Sequence, residues 1–393
     1  MIYQNVNCRY CQKQLGNNPV LEYGIFPMTP NAIENDLLRD QNGNAHTYEF
    51  TIIVCSKCGL IQQLNQPNPD ILYFRFKNET TGKKWKQHFQ EFSEFIFKNY
   101  CANQSILEIG AGDLQLTNML IEKGMDSITV VEKNIDAKHY NPKILFIFSY
   151  LEEANFVKKF DIIYSSHVFE HISNISIHLQ KISTILNIGG SFIFSLPNFE
   201  KWIENFYLNS FNQEHVIYPL AKNIKMMLNH YGFHIKHLYE FEQHSLFVEA
   251  EYTGQKIFEC TDESIYKTNL ALLNNFKDKL QKFECFINDK VMICKQIYVF
   301  GANSSTQLLL KKLKHKQNII CILDNATIKE NKFLYGFDYV VKKPEILQSI
   351  NNPEESYILI FTGTYVDEIK EQLLQINKKL NIVTMNDFLN TII

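Results

Sequence analysis

Several things are missing from this chain of 393 residues, and each absence removes a class of protein. No stretch approaches the ~20 consecutive apolar residues that carry a helix across a bilayer, so no membrane partner is expected. No excess of one charge is present either. The 39 Lys and Arg against 42 Asp and Glu leave a net −3, which gives no electrostatic case for a nucleic-acid partner. The opening residues, MIYQNVNCRYCQK, lack the apolar segment of a secretory signal. The expectation is therefore a cytoplasmic chain whose nine cysteines are reduced rather than paired as disulfides. Repeats and low-complexity linkers are also missing. With 45% hydrophobic and 21% charged residues the composition is globular, and the length calls for two or three domains.

What is present begins with cysteines. Cys8 and Cys11 form one C-x-x-C pair, and Cys55 and Cys58, followed by Gly59, form another. Two residues between thiols let one tight turn aim both sulfurs at a single ion. Two such turns supply the four tetrahedral ligands of Zn2+, leaving no open position and hence a structural role. The remaining cysteines (Cys101, Cys260, Cys285, Cys294 and Cys321) have no such spacing and read as small core residues.

Next comes a strand, a glycine turn and a helix. Trp85, Phe89, Phe92 and Ile96 recur at helical spacing. The segment Ser105-Ile-Leu-Glu-Ile-Gly-Ala-Gly-Asp113 then leads into a second helical pattern through Leu114, Met119 and Leu120. The glycines permit positive φ and bring the backbone close to a ligand. The following strand, Ser127 to Glu132, ends on an acid, where Rossmann-type folds hold ribose hydroxyls. A dinucleotide loop would continue to a third glycine, whereas Leu114, Gln115 and Leu116 stand here. Further on, Phe160 to His171 reads as a strand and the helix after it, Leu186 to Asn198 as a helix end and a strand, and two last strands are expected at His234–Phe241 and Ser245–Tyr252.

Beyond Gly254 an amphipathic stretch, Asp262 to Asn288, reads as one or two helices. A second strand–turn–helix–strand run follows: Gln296 to Phe300, Gly301, Thr306–Leu313, and Asn318 to Asp324. This favours a parallel βαβ unit, with more strands at Tyr339–Val341, Tyr357–Phe361 and Asn381–Met385. Its single turn glycine, Gly301, favours substrate binding or scaffolding over a second cofactor site.

Glu108, Gly110 and Gly112 make E-x-G-x-G, and this resembles motif I of the class I S-adenosylmethionine-dependent methyltransferases. The resemblance implies that Glu108, Gly110, Ala111, Gly112, Glu132 and His167 bind the cofactor. All three parts together resemble the zinc-ribbon-containing sugar C-methyltransferases, which act on nucleotide-linked 4-keto deoxysugars. The expected fold class is α/β, with three units. Residues 1–70 form a zinc-binding domain, 71–254 a Rossmann-type methyltransferase core, and 255–393 a Rossmann-like α/β domain.

In that family Glu214 and His215 lie beside the reacting carbon, with His215 as general base oriented by Glu214. The pair should sit in a loop or helix start, because neighbours on a regular strand point to opposite faces. The resemblance departs at Asn212, where the family commonly has Tyr, and at Glu242-Gln-His-Ser245-Leu246, which lacks the family's glycines. Tyr73 or Tyr218 would then stabilise the oxyanion. Two alternatives stay open: O-methylation of a sugar, and a non-catalytic binding protein on a methyltransferase scaffold. The expected cofactors are S-adenosylmethionine and a structural Zn2+, with a nucleotide sugar as the small-molecule partner and the oligomeric state undetermined.

Overall fold

Ile106–Ile109 buries all four of its side chains and forms a strand, β1, as a short apolar run does when both faces of a sheet are covered. The computed structural model describes residues 3–4, 6–34, 37–74, 82–133, 141–258 and 263–392. Cys260 lies outside the described residues. Around β1 gather β2 (Ile128–Val131), β3 (Ile144–Ile147), β4 (Phe160–Ser166), β5 (Leu186–Pro197), β6 (Phe233–Phe241) and β7 (Ser245–Tyr252). Their order across the seven-stranded sheet is 6-7-5-4-1-2-3. Neighbours from β5 to β3 run parallel, while β7 is antiparallel to both β5 and β6. This is the class I methyltransferase arrangement of a Rossmann-like sheet, and the α/β expectation holds.

Helix α1 (Lys83–Phe97) covers one face through His88, Phe92 and Ile96, spaced four apart. The anticipated stripe included Phe89; His88, one residue earlier, is the side chain wholly buried. Helix α2 (Gln115–Glu122) follows the glycine turn.

The N-terminal residues build a four-stranded antiparallel sheet from Leu21–Pro27, Thr47–Val54, Ile61–Gln63 and, from far along the chain, Ile217–Tyr218. The first and second units therefore share a sheet.

Asp262 is not described, but Glu263–Met292 is one continuous helix, α3. At ~1.5 Å per residue it is about 45 Å long. Ile265, Leu273, Phe276, Leu280, Phe283, Ile287 and Val291 lie buried along it. All of these but Ile265 join a single core that also contains Phe50, Phe206, Phe361 and Phe388. Each large side chain so buried contributes about 1.5–3 kcal/mol of transfer free energy, so α3 ties all three units together.

The last unit is a parallel sheet of β8 (Gln296–Phe300), β9 (Ile319–Leu323), β10 (Val341–Lys342), β11 (Ser356–Ile360) and β12 (Asn381–Thr384), ordered 10-9-8-11-12. The strand expected at Tyr339–Val341 shrinks to Val341–Lys342. Residue 340 instead makes an isolated bridge with Phe333. Met385 opens a short helix rather than closing β12, because Thr384 and Asp387 form a capping box there. Among the described residues no helix is long and apolar enough to cross a membrane.

Candidate active site and cysteine cluster

The two cysteine turns converge. Cys8 Sγ lies 3.6 Å from Cys58 Sγ, and Cys11 Sγ 3.5 Å from Cys55 Sγ. All four sulfurs fall within 4.8 Å of one another. A disulfide would need ~2.05 Å. A tetrahedron with metal–sulfur bonds of ~2.3 Å has edges of about 3.8 Å, so the spacing suits one ion. Each turn is closed by a backbone bond, from Gln12 N to Cys8 O and from Gly59 N to Cys55 O. Gly59 has φ +69°, and a Cβ there would meet Ile265 of α3 at 2.7 Å, so only glycine fits. Asn223 Nδ2 and Asn269 Nδ2 cap the turn by donating to Cys58 O and Gly59 O.

The cofactor loop follows β1. Gly110 (φ +72°) and Gly112 (φ +54°) adopt left-handed conformations, and a Cβ on Gly110 would lie 2.5 Å from Val168. Gly110 N donates to Val131 O, which fixes the loop against the end of β2, where Glu132 is partly exposed. Ala111 is buried between the two glycines, and the Gln115 Oε1 beside them is buried with no hydrogen-bond partner. Open backbone, an orphaned polar atom and an acid on the neighbouring strand fit a charged, ribose-bearing cofactor.

Two of the six expected cofactor residues are placed differently. Glu108 is 2% exposed, and its Oε2 accepts hydrogen bonds from Thr117 and Tyr164, so it braces the loop from beneath. Burial raises its carboxyl to about 7. His167, at φ +51° just past β4, has both ring nitrogens engaged, by Glu170 and by Ser245. Only a ring face or edge is left for a ligand.

Beyond β5, Glu214 and His215 sit in an irregular loop, as expected. Their partnership differs from expectation. Asn212 Oδ1 accepts from Glu214 N (2.9 Å) and His215 N (3.0 Å), which turns its amide nitrogen toward His215 Nδ1, 3.1 Å away. An amide nitrogen only donates, so Nδ1 accepts and the hydrogen of neutral His215 resides on Nε2. Asn212, not the Glu214 carboxylate, orients this ring.

His171 is the reverse case. Its Nδ1 lies 3.0 Å from Glu214 O, a pure acceptor, so Nδ1 carries the hydrogen and Nε2 the lone pair. The two imidazoles stand edge to face with centroids 5.0 Å apart. Burial lowers both below the usual imidazole value, so both are neutral near pH 7. Tyr73 places its hydroxyl 3.3 Å from His171 Nδ1 and stays on the site. Tyr218 does not. It is fully buried, and its hydroxyl donates to Asn212 O. Glu214 keeps a partly exposed carboxylate, raised to about 7 by burial despite nearby Lys329.

The sequence reading missed His171 and Glu170, although an acid–histidine doublet just past the end of β4 was a usable signal. It also took Asn212 as a departure from a pattern, without seeing the turn it makes.

Residues 74–238 match the family model described as a methyltransferase domain. Three solved structures illustrate the likeness. The first is the 1,6-didemethyltoxoflavin-N1-methyltransferase of Burkholderia thailandensis, at 15% identity over 44% of this chain and 81% of that one, TM-score 0.36. The second is the PH0226 protein of Pyrococcus horikoshii OT3, at 14% over 46% and 97%, TM-score 0.39. The third is the N-methyltransferase NodS of Bradyrhizobium japonicum WM9, with S-adenosyl-l-homocysteine, at 12% over 47% and 93%, TM-score 0.35. No residue role follows from similarity at that level. No curated relative matches the sequence. Taken with the sheet order and glycine loop, the family match establishes a class I S-adenosylmethionine-dependent methyltransferase domain. The chain is an enzyme.

Proposed function

We propose that this enzyme methylates the carbon beside a ketone in a nucleotide-linked sugar, and that Cys8, Cys11, Cys55 and Cys58 hold a structural Zn2+. The observation that carries the reading is the pair of imidazoles with opposite hydrogens. A carbon next to a carbonyl gives up its proton only if one group accepts it while another donates to the oxygen on which charge develops. His171 Nε2 can accept, and His215 Nε2–H can donate. This moves the base from His215, where the sequence reading put it, to His171. It gives His215 the oxyanion role left open at Tyr73 and Tyr218.

When bound, S-adenosylmethionine supplies an electrophilic methyl group. The C–H bond breaks toward His171, and the carbon's electron pair forms the new C–CH3 bond. S-adenosylhomocysteine leaves, and one proton remains on the enzyme.

Two features of the last unit support binding of the nucleotide end there. Strand order reverses between β8 and β11, and ligands of open α/β sheets bind outside the carboxyl ends at such a switch point. The two loops there contain Gly301 (φ +100°) and Gly363 (φ +64°), with Ser305 Oγ and Thr362 Oγ1 buried and unpartnered. Asp324, the acid closing β9, is engaged by Ala302 N and Lys329, which disfavours a second dinucleotide cofactor.

The test is deuterium exchange, without cofactor, into a panel of nucleoside-diphosphate 4-keto sugars in D2O. Wash-in beside the ketone that His171→Asn abolishes supports the reading. Methylation of a sugar with no exchange replaces it by the O-methyl alternative, and neither exchange nor methylation removes the nucleotide-sugar acceptor.

A further inference from the structure

Every methyl transfer to a protonated acceptor leaves a proton behind, and Glu170, the carboxyl nearest His171 Nε2 at 3.9 Å, is completely buried. Its Oε2 has no hydrogen-bond partner, but Oε1 begins a chain of contacts. Glu170 Oε1 lies 3.2 Å from His167 Nδ1, and His167 Nε2 lies 3.0 Å from Ser245 Oγ. Ser245 Oγ lies 2.6 Å from His244 Nδ1, and His244 Nε2 lies 2.9 Å from Tyr365 Oη. Tyr365 belongs to the last unit and is only partly buried. It adjoins a cleft of about 480 Å³ lined by Lys84, Glu242, Gln243, Thr364 and Val366, among others.

The hydrogens on this chain can point only one way at a time. With Glu170 ionised, Tyr365 donates to His244, His244 to Ser245, Ser245 to His167, and His167 to Glu170. With Glu170 protonated, every link reverses. Each interior group donates once and accepts once in either state, the requirement for proton hopping. Burial holds His167 down at about 3 and His244 well below the usual imidazole range, so each ring carries a single hydrogen.

We propose that Glu170, His167, Ser245, His244 and Tyr365 form a proton relay that carries the proton released on methyl transfer from the buried site to solvent at the seam with the last unit. A proton passed from His171 to Glu170 favours the reversed arrangement, in which each imidazole holds its hydrogen on Nε2 instead of Nδ1. From there, loss of one proton from Tyr365 is followed by one hop at every link, His244 to Tyr365, Ser245 to His244, His167 to Ser245 and Glu170 to His167, which leaves Glu170 ionised and the chain in its first arrangement. The entry of the proton through His171 rests on the function proposed above; the relay itself requires only that methyl transfer frees a proton. Burial raises Glu170 to about 7, so it exchanges protons near neutrality. The titratable groups facing the chain are His88, His171, His215, Glu214, Tyr73 and Lys84, with Glu368 beside Tyr365 at the outer end.

The test reads tautomers rather than turnover: 15N spectra of histidine-labelled protein from pH 5 to 9, with S-adenosylhomocysteine added. His167 and His244 should both be Nδ1–H at high pH and both become Nε2–H with one shared midpoint. In Ser245→Ala, His167 should still switch while His244 no longer follows, with S-adenosylhomocysteine affinity by calorimetry within about twofold of wild type as the folding control. Separate midpoints in the wild type, or fixed tautomers, overturn the relay, and that measurement decides the matter even if the variant does not fold. Joint switching without deuterium wash-in would keep the relay and discard the carbon acceptor.

Discussion

Gln62 and Gln63, adjacent on the strand that leaves the second cysteine turn, reach in opposite directions. Gln62 Nε2 donates to Cys8 Sγ at 3.2 Å, and Gln63 Nε2 donates to His215 O at 2.6 Å and Asn212 O at 2.7 Å. Strand alternation makes this automatic. One side of Ile61–Gln63 serves the cysteine cluster and the other the loop of Asn212 to His215, whose continuation pairs with it through Ile217 and Tyr218.

Metal loss should therefore reach the chemistry. Elemental analysis should find about one Zn per chain, and Cys58→Ser should lower it toward zero. Turnover should fall together with the metal, while S-adenosylhomocysteine affinity by calorimetry stays close to wild type. Full turnover in metal-free protein would break the link between the two sites.

Glu132→Ala tests the cofactor position. A hydrogen bond from a ribose hydroxyl to a carboxylate is worth about 1.5–3 kcal/mol. Calorimetry should show S-adenosylhomocysteine binding weakened by roughly tenfold to a hundredfold. Unchanged affinity would move the ribose elsewhere.

Asn212→Asp tests the hydrogen on His215. A carboxylate accepts where the amide donated, so His215 should carry its hydrogen on Nδ1 and lose the donor at Nε2. Removing one oxyanion donor lowers kcat by ~10²–10³, and that loss is expected with cofactor affinity nearly unchanged. Turnover within a few fold of wild type would mean that His215 does not donate.

Glu108 predicts a pH effect on stability. Its carboxyl is raised from 4.5 to about 7, so the folded state binds the proton more tightly than the unfolded state does. Stability should therefore fall as pH rises from about 4.5 to 7, by of order 2–3 kcal/mol for this group. Glu108→Gln keeps an acceptor for Thr117 and Tyr164 and cannot ionise. It should melt higher than wild type at pH 8 and lose that advantage near pH 5. A lower melting temperature at both pH values would contradict the account.

The sequence displayed local features well and contacts across the chain poorly. Gly110 and Gly112 stand out because positive φ and close approach are properties of a few consecutive residues. The cysteine pairs do so because each turn is self-contained. His167 and Glu108 carried the right residue types for a ligand, yet partners brought by the fold, Ser245 for one and Tyr164 for the other, had already engaged them. Tyr218 was a plausible site tyrosine until its strand was seen to pair with Ile61. The opposite tautomers of His171 and His215 depend on a backbone carbonyl and an amide that no residue pattern announces.

The antiparallel strand β7 has a consequence for how this fold can be divided. The family match stops at residue 238, partway through β6, while Ser245–Pro197 through Glu251–Ser191 are the pairs that close the sheet beyond β5. A chain cut at 238 would leave the apolar strand Phe192 to Leu196 with an open row of amides and carbonyls. Open edges of that kind invite strands from other molecules. The boundary of recognisable ancestry and the boundary of the closed sheet thus differ by one hairpin, and the relay serine at the start of β7 lies on the far side of the first.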